Sequence, residues 1–208
     1  KTTLKRMLNE RINERYPGKI LPIDYSFFPF TKQKELHEVT LLDHMLELIR
    51  HYVKAICSLI DATPTLKAKL SSDHKESLFH MCEIFLKEEE KQLYYPKLLS
   101  FLEKLFGVYP KKKNRDFYLS STTDVLEVID KSDFTLNKIQ DILQTFGYVS
   151  SYIFIDKLDE TSRTMKEPEQ AGILVGSLIS CLEIVQRDFY SFKFFVPAES
   201  IPNLKKCG

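Results

Sequence analysis

Tyr152-Ile153-Phe154-Ile155-Asp156-Lys157-Leu158-Asp159-Glu160 is the stretch on which the fold turns. Four apolar or aromatic residues run without alternation into three carboxylates. An unalternating apolar run predicts a strand buried on both faces, the environment of a central parallel strand in an α/β protein. Open α/β sheets bind ligands at the carboxyl ends of their strands, which puts Asp156 at the functional edge. Carboxylates crowded at a strand end repel one another unless a cation offsets them. Asp156 is therefore a candidate metal-shell residue, and Asp159 and Glu160 are candidates to orient or deprotonate a water. Taken alone, the same residues also describe a solvated loop after a core strand.

Upstream of this strand, a helix from about Asp133 to Phe146 ends at Gly147, a residue suited to the left-handed C-terminal position, and the strand then runs from Tyr148 to Ile155. Helix, glycine stop and buried strand make an αβ unit. At the start of the chain, Leu4, Met7, Leu8 and Ile12 recur at helical spacing from Thr2 to Tyr16, and Pro17-Gly18 stops that helix. Ile20 to Tyr25 follows as a short strand, with Pro22 predicting an edge position. Lys1-Thr2-Thr3-Leu4 reads as the end of a phosphate-binding loop. Such loops finish in Gly-Lys-Ser/Thr because backbone amides and an ammonium surround phosphate oxygens, while the hydroxyl ligates magnesium. In this reading Lys1 contacts the β and γ phosphates, Thr2 holds the metal, and Thr2 and Thr3 open a helix whose free amides face the anion. The chain has no initiator Met, so it is read as a fragment whose phosphate-loop glycines lie upstream.

Between these ends the chain reads as almost pure helix. One amphipathic helix is expected from Glu35 to about Asp61 and another from Ser77 to Phe106, bent near Pro96. Lys111 to Arg115 is a basic loop, and Ser120-Ser121-Thr122-Thr123-Asp124 supplies a cap for a further helical stretch. After the acidic cluster, Thr161 to Glu167 is a polar loop, Pro168 opens a helix to about Gln186, and Phe192 to Val196 is a last strand. The expected division is 1–31 as the first part of an α/β core, 32–123 as a helical insertion and 124–208 as the second part of the core.

Composition narrows the classes. With 208 residues, 43% hydrophobic and 28% charged, the chain has an ordinary globular make-up, and 30 Lys plus Arg against 29 Asp plus Glu offers no global attraction to nucleic acid or anionic membrane. No apolar run is long enough to cross a bilayer. Cys57, Cys82, Cys181 and Cys207 follow no CxxC spacing, so reduced thiols in a cytoplasmic protein are expected.

With Lys1-Thr2 at one end and Phe154-Ile155-Asp156-Lys157-Leu158-Asp159-Glu160 at the other, the chain resembles the P-loop ATPases of the additional-strand class. The likeness is to the signalling STAND group with its NACHT and KAP branches, and to related prokaryotic AAA-type ATPases. Their Walker B strands run from apolar residues into Asp-x-Leu-Asp-Glu or a near variant. The resemblance implies a three-layer P-loop NTPase core with a mostly parallel sheet, incomplete at the N-terminus and carrying a large all-helical insertion. It implies ATP and magnesium as cofactors, a Walker B role for Asp156, and hydrolysis that drives a conformational or assembly switch. Prokaryotic signalling or defence, protein partners or self-association, and weak ATP binding by the fragment alone follow from the same likeness. It also implies that the Phe192 to Val196 strand lies between the P-loop strand and the Walker B strand. One departure is that Pro197-Ala198-Glu199-Ser200 carries no Asn, Thr or Arg where the family places a polar sensor.

Other residues are weighed against plainer roles. His37, His44 and His51 share a helix face, but two turns separate each pair, about 10 Å of rise, so they read as partly buried or surface histidines rather than metal ligands. Lys111 to Arg115 is the weakly supported candidate for nucleic acid. Arg163 is either a solvated cation or an arginine finger. Phe27, Phe28, Phe30, Phe192, Phe194 and Phe195 read as packing. The rival to the ATPase is a non-catalytic helical interaction module on a degenerate P-loop core.

Overall fold

The computed structural model describes residues 2–94, 124–161, 163–165, 167, 170–196 and 198–204. Lys1, the basic run 111–115, Pro96, Pro168 and Pro197 lie outside the described residues. The fold is mixed α/β, with helices α1 (Thr2–Arg15), α2 (Leu41–Ala62), α3 (Leu66–Lys69), α4 (Ser72–Phe85) and α5 (Val125–Phe146). Helices α6 (Ala171–Ile179), α7 (Leu182–Val185) and α8 (Ile201–Leu204) follow in the second half. Strands β1 (Ile20–Tyr25), β2 (Ser150–Ile155) and β3 (Tyr190–Phe194) form one sheet in the order β1-β2-β3, with both pairings parallel. The chain divides into two compact units, one of residues 1–45 with 148–208 and the other of residues 46–147. Segment 124–147, grouped with the core by sequence, thus falls in the all-helical unit.

In the α/β unit, β2 is the central strand, and Ile153, Phe154 and Ile155 are buried on both sides of it. Each such side chain contributes about 1.5–3 kcal/mol when removed from water. Strand periodicity sends alternate residues to opposite faces. Ile20, Asp24, Tyr152, Phe154 and Phe195 share the face covered by α1, where Leu8 and Ile12 pack against Ile20 and Phe154. The core-facing stripe of α1 differs from the expected one: Leu4 and Met7 are 54% and 45% exposed, whereas Lys5 is largely covered. Leu21, Ile23, Tyr25, Ile153 and Ile155 lie on the other face. Pro22 does sit on an edge strand of the described sheet.

The helical unit is built on stripes. Leu48, Ile49, Tyr52, Val53, Ile56 and Ile60 form the buried stripe that α2 contributes here; the helix begins at Leu41 rather than Glu35 because a separate 3-10 turn, Leu36–Glu38, precedes it. Helix α4 starts at Ser72, capped by the Ser71 hydroxyl accepting from the His74 amide, and ends at Phe85. The two helical stretches expected around 124–146 are one continuous helix, α5. Asp124 caps it by accepting from the amides of Leu126 and Glu127, and Gly147 closes it at φ 105°. The Arg50 guanidinium grips Glu90 with two bonds of 2.6 and 2.8 Å and also donates to Glu47 at 3.0 Å. Hydrogen bonds from Arg50, Lys87 and Lys54 outweigh the opposing effect of burial and hold the Glu90 carboxyl at about 2.

Beyond β2, the helix expected from Pro168 to Gln186 is interrupted at Ser180 and Cys181, giving α6 and the single turn α7. The last strand is shifted two residues earlier than expected, to Tyr190–Phe194.

Candidate functional site

The α1 face of the sheet carries the charged groups. Asp24, next to last in β1, and Asp156, immediately after β2, point to the same face because parallel pairing aligns Asp24 with Phe154. Lys5 comes down from α1 between them. Its Nζ lies 2.5 Å from Asp24 Oδ2 and 3.9 Å from Asp156 Oδ2. Asp156 is 2% exposed. Its Oδ1 accepts the Lys157 amide at 2.8 Å, while Oδ2 has no hydrogen-bond partner among the described residues. A buried carboxylate oxygen without a donor costs about 1–3 kcal/mol or more, so this atom calls for a donor, a water or a cation. Lys5, Arg6, Asn9, Pro22, Asp24 and Phe154 line an open groove beside it.

Glu160 points elsewhere. Lys157 takes a left-handed conformation at φ 59°, and the turn closes through the Glu160 amide donating to the Lys157 carbonyl at 3.1 Å. The Glu160 carboxylate is exposed, pairs with Lys157 at 3.7 Å and lines a cleft with Ser26, Phe27, Lys32 and Thr161. Asp159 is half-buried. Leu158 is fully buried and anchors the turn. The Thr164 hydroxyl donates to the Leu158 carbonyl, and Thr161 and Thr164 exchange amide-to-hydroxyl bonds of 3.2 and 3.1 Å. The loop read as polar from sequence is thus internally bonded. Among the described residues no group of three or more His, Cys, Asp or Glu is arranged to hold a metal, so Asp156, Asp159 and Glu160 do not converge as one carboxylate cluster.

Of the phosphate-loop residues, Lys1 is outside the described residues, and Thr2 and Thr3 form the first turn of α1. Arg163 is tied within its own chain: Nη1 pairs with Glu35 at 2.8 Å and Nε donates to the Thr31 carbonyl at 3.3 Å. Glu199 is exposed and Ser200 buried.

Lys5 has no role in the sequence reading, although with Leu8 and Ile12 it falls at the three- and seven-residue intervals of one helix face, and a Lys on a buried stripe is the signal that reveals it. His44, read from sequence as a partly buried or surface histidine, has a larger role. It is completely buried on the opposite face of the sheet, with Tyr25 Oη 2.9 Å from Nδ1 and the Leu174 carbonyl 2.7 Å from Nε2. Since a carbonyl only accepts, Nε2 carries the proton and Nδ1 accepts from Tyr25. Phe28, Phe30 and Tyr25 meet the imidazole edge-on. Burial pushes its pKa down to about 4, against the smaller upward pulls of the Leu174 carbonyl and Asp43. His44 is neutral and fully bonded, the character of a structural hub. His37 is exposed, and His51 lies 3.4 Å from Glu47.

No protein-family model, curated protein or solved structure matches the chain. Among the described residues no helix is long and apolar enough to cross a membrane.

Proposed function

We propose that the chain belongs to a magnesium-dependent P-loop ATPase of the additional-strand class, with a STAND-like or AAA-type core and a large helical unit. ATP hydrolysis in this reading drives a conformational or assembly switch, with self-association or protein partners as its output. The observation that carries it is Asp156, buried at the carboxyl end of the central parallel strand with one oxygen lacking a hydrogen-bond donor among the described residues. The outer edge of β3, with which no described strand pairs, adds support, since the resemblance gives that position to the P-loop strand.

Lys1 then offsets phosphate charge, Thr2 ligates magnesium, Asp156 organises the metal shell, and Glu160 or Asp159 orients the attacking water. Asp156 supplies an acceptor with a free lone pair, suited to a metal-bound water. Glu160 is exposed and held only by an exposed pair with Lys157, a surface contact that costs little to exchange. A magnesium ion held through Thr2 and Asp156 would supply charge neutralisation for phosphoryl transfer.

The rival reading, a helical interaction module on a degenerate core, is favoured by one contact. Lys5 stands where a cation is called for, and a tethered ammonium offsets Asp156 without a metal. Magnesium-dependent ATP turnover by the protein carrying this chain separates the two. Loss of turnover in Asp156→Ala and Glu160→Gln, with the circular dichroism spectrum kept, supports the ATPase. Absent turnover in the wild type, or full turnover in both variants, rejects the site.

A further inference from the structure

In the helical unit, Val53, Cys57 and Ile60 are buried at the four- and three-residue spacing of one helix face on α2. Leu78, Cys82 and Phe85 repeat that spacing on α4 and are buried as well. The two stripes bring Cys57 Sγ and Cys82 Sγ to 3.6 Å, a thiol hydrogen bond between residues 25 positions apart. Both thiols are free, and their residues are 4% and 0% exposed. Neither cysteine belongs to the proposed nucleotide site.

The Cys57 hydrogen bond and burial both raise the Cys82 thiol well above its usual range. A protonated, covered thiol is a poor nucleophile and a poor metal ligand. What two facing sulfurs suit instead is a bond to each other, since a disulfide needs about 2.05 Å and these sulfurs lie within roughly 1.5 Å of that. We propose that Cys57 and Cys82 are a dithiol pair that a hydroperoxide converts to an intramolecular disulfide, stapling α2 to α4.

The chemistry balances. When α2 and α4 part briefly, one thiolate attacks a peroxide oxygen and breaks the O–O bond, giving a sulfenic acid and a hydroxide that takes up a proton to become water. The second thiol attacks the sulfenic sulfur, forms the S–S bond and loses its proton to the departing hydroxide, a second water. The two sulfurs together lose two electrons, and the peroxide gains them. Hydrogen peroxide, close to water in size, is the oxidant class that a covered pair admits with the least opening. Formation follows the local opening rate, and the closed bond is shielded from bulky reductants in the same way.

The experiment exposes the reduced full chain to hydrogen peroxide, quenches it, alkylates remaining thiols under denaturing conditions and maps the peptides by mass spectrometry. The expected result is one cross-linked peptide joining Cys57 to Cys82, with two hydrogens lost, reversed by dithiothreitol once the chain is unfolded. Closing a loop of this size raises the melting temperature of the helical unit by about 10–15 °C. Cys82→Ser abolishes both the cross-link and the shift, and the wild-type mapping stands whether or not that variant folds. The proposal is overturned if both thiols are still alkylated, if either ends as a sulfinic acid, or if the cross-link involves Cys181 or Cys207. A cross-link that leaves the melting temperature unchanged overturns the staple.

Discussion

The two faces of the small sheet treat buried polar groups in opposite ways. Neighbouring residues at the end of β1 show it: Tyr25 turns to one face and reaches a neutral His44, while Asp24 turns to the other and meets Lys5 beside Asp156. On the His44 face both ring nitrogens are bonded and aromatic edges fill the surroundings. On the Asp156 face a buried carboxylate oxygen has no hydrogen-bond partner among the described residues, with the Lys5 ammonium 3.9 Å away. A satisfied buried polar group holds elements together, and an unsatisfied one at a strand end is a candidate for a site. Burial alone does not distinguish the two; the count of bonds made does.

The sharpest way to break this contrast is at its satisfied end. His44→Ala removes the imidazole bonds to the Tyr25 hydroxyl and the Leu174 carbonyl and opens a cavity, and unfolding in urea is expected to show a loss of about 4 kcal/mol. A loss below about 1 kcal/mol means that His44 is not the hub.

Protonation tests the same residue without a mutation. The folded pKa of about 4 lies below the ordinary histidine value of 6.5, so the unfolded chain binds the extra proton first. The stability is fully present above pH 6.5 and is lost as pH falls toward 4, by about 3 kcal/mol in total. Chemical denaturation at a series of pH values measures the slope, and His44→Ala is expected to flatten it. A wild-type profile that is flat between pH 6.5 and 4.5 contradicts a buried neutral imidazole.

At the unsatisfied end, Asp156→Ala is expected to lower magnesium-dependent ATP turnover about 100-fold, the scale of losing a group that orients a metal's water shell. The fold is retained, because the variant removes a group that is under-bonded. Steady-state phosphate release measures it, and a large fall in stability instead places Asp156 with the structural groups.

Lys5→Met carries the smallest effect, about 1–2 kcal/mol, since the ammonium is partly covered and one of its two carboxylates is exposed. Thermal unfolding measures that change. A stability gain in Lys5→Met means that the desolvated ammonium costs more than its attraction to Asp156 returns.

Much of this was legible in the sequence, for local reasons. Ile153-Phe154-Ile155 cannot alternate and so marks a central strand, Gly147 takes the left-handed stop, and Pro22 sits on an edge strand. Where periodicity was read without its capping groups, element ends moved. Asp124 nucleates one helix through to Phe146 where two were expected, and the 3-10 turn Leu36–Glu38 delays α2. The candidate site was half legible. Asp156 is announced by its place after an apolar run, but the direction in which Glu160 points depends on a left-handed Lys157, which no spacing rule foretells.

Residue order alone was enough to set the α/β class, the central strand and the acid at its end, because these follow from short-range patterns of apolar and charged residues. Folding in three dimensions was needed to pair Lys5 with Asp24 and Asp156, to bond His44 at both nitrogens, and to set Cys57 against Cys82. Those encounters join residues far apart in the chain. Whether a buried polar group finds a partner is settled only where packed elements meet.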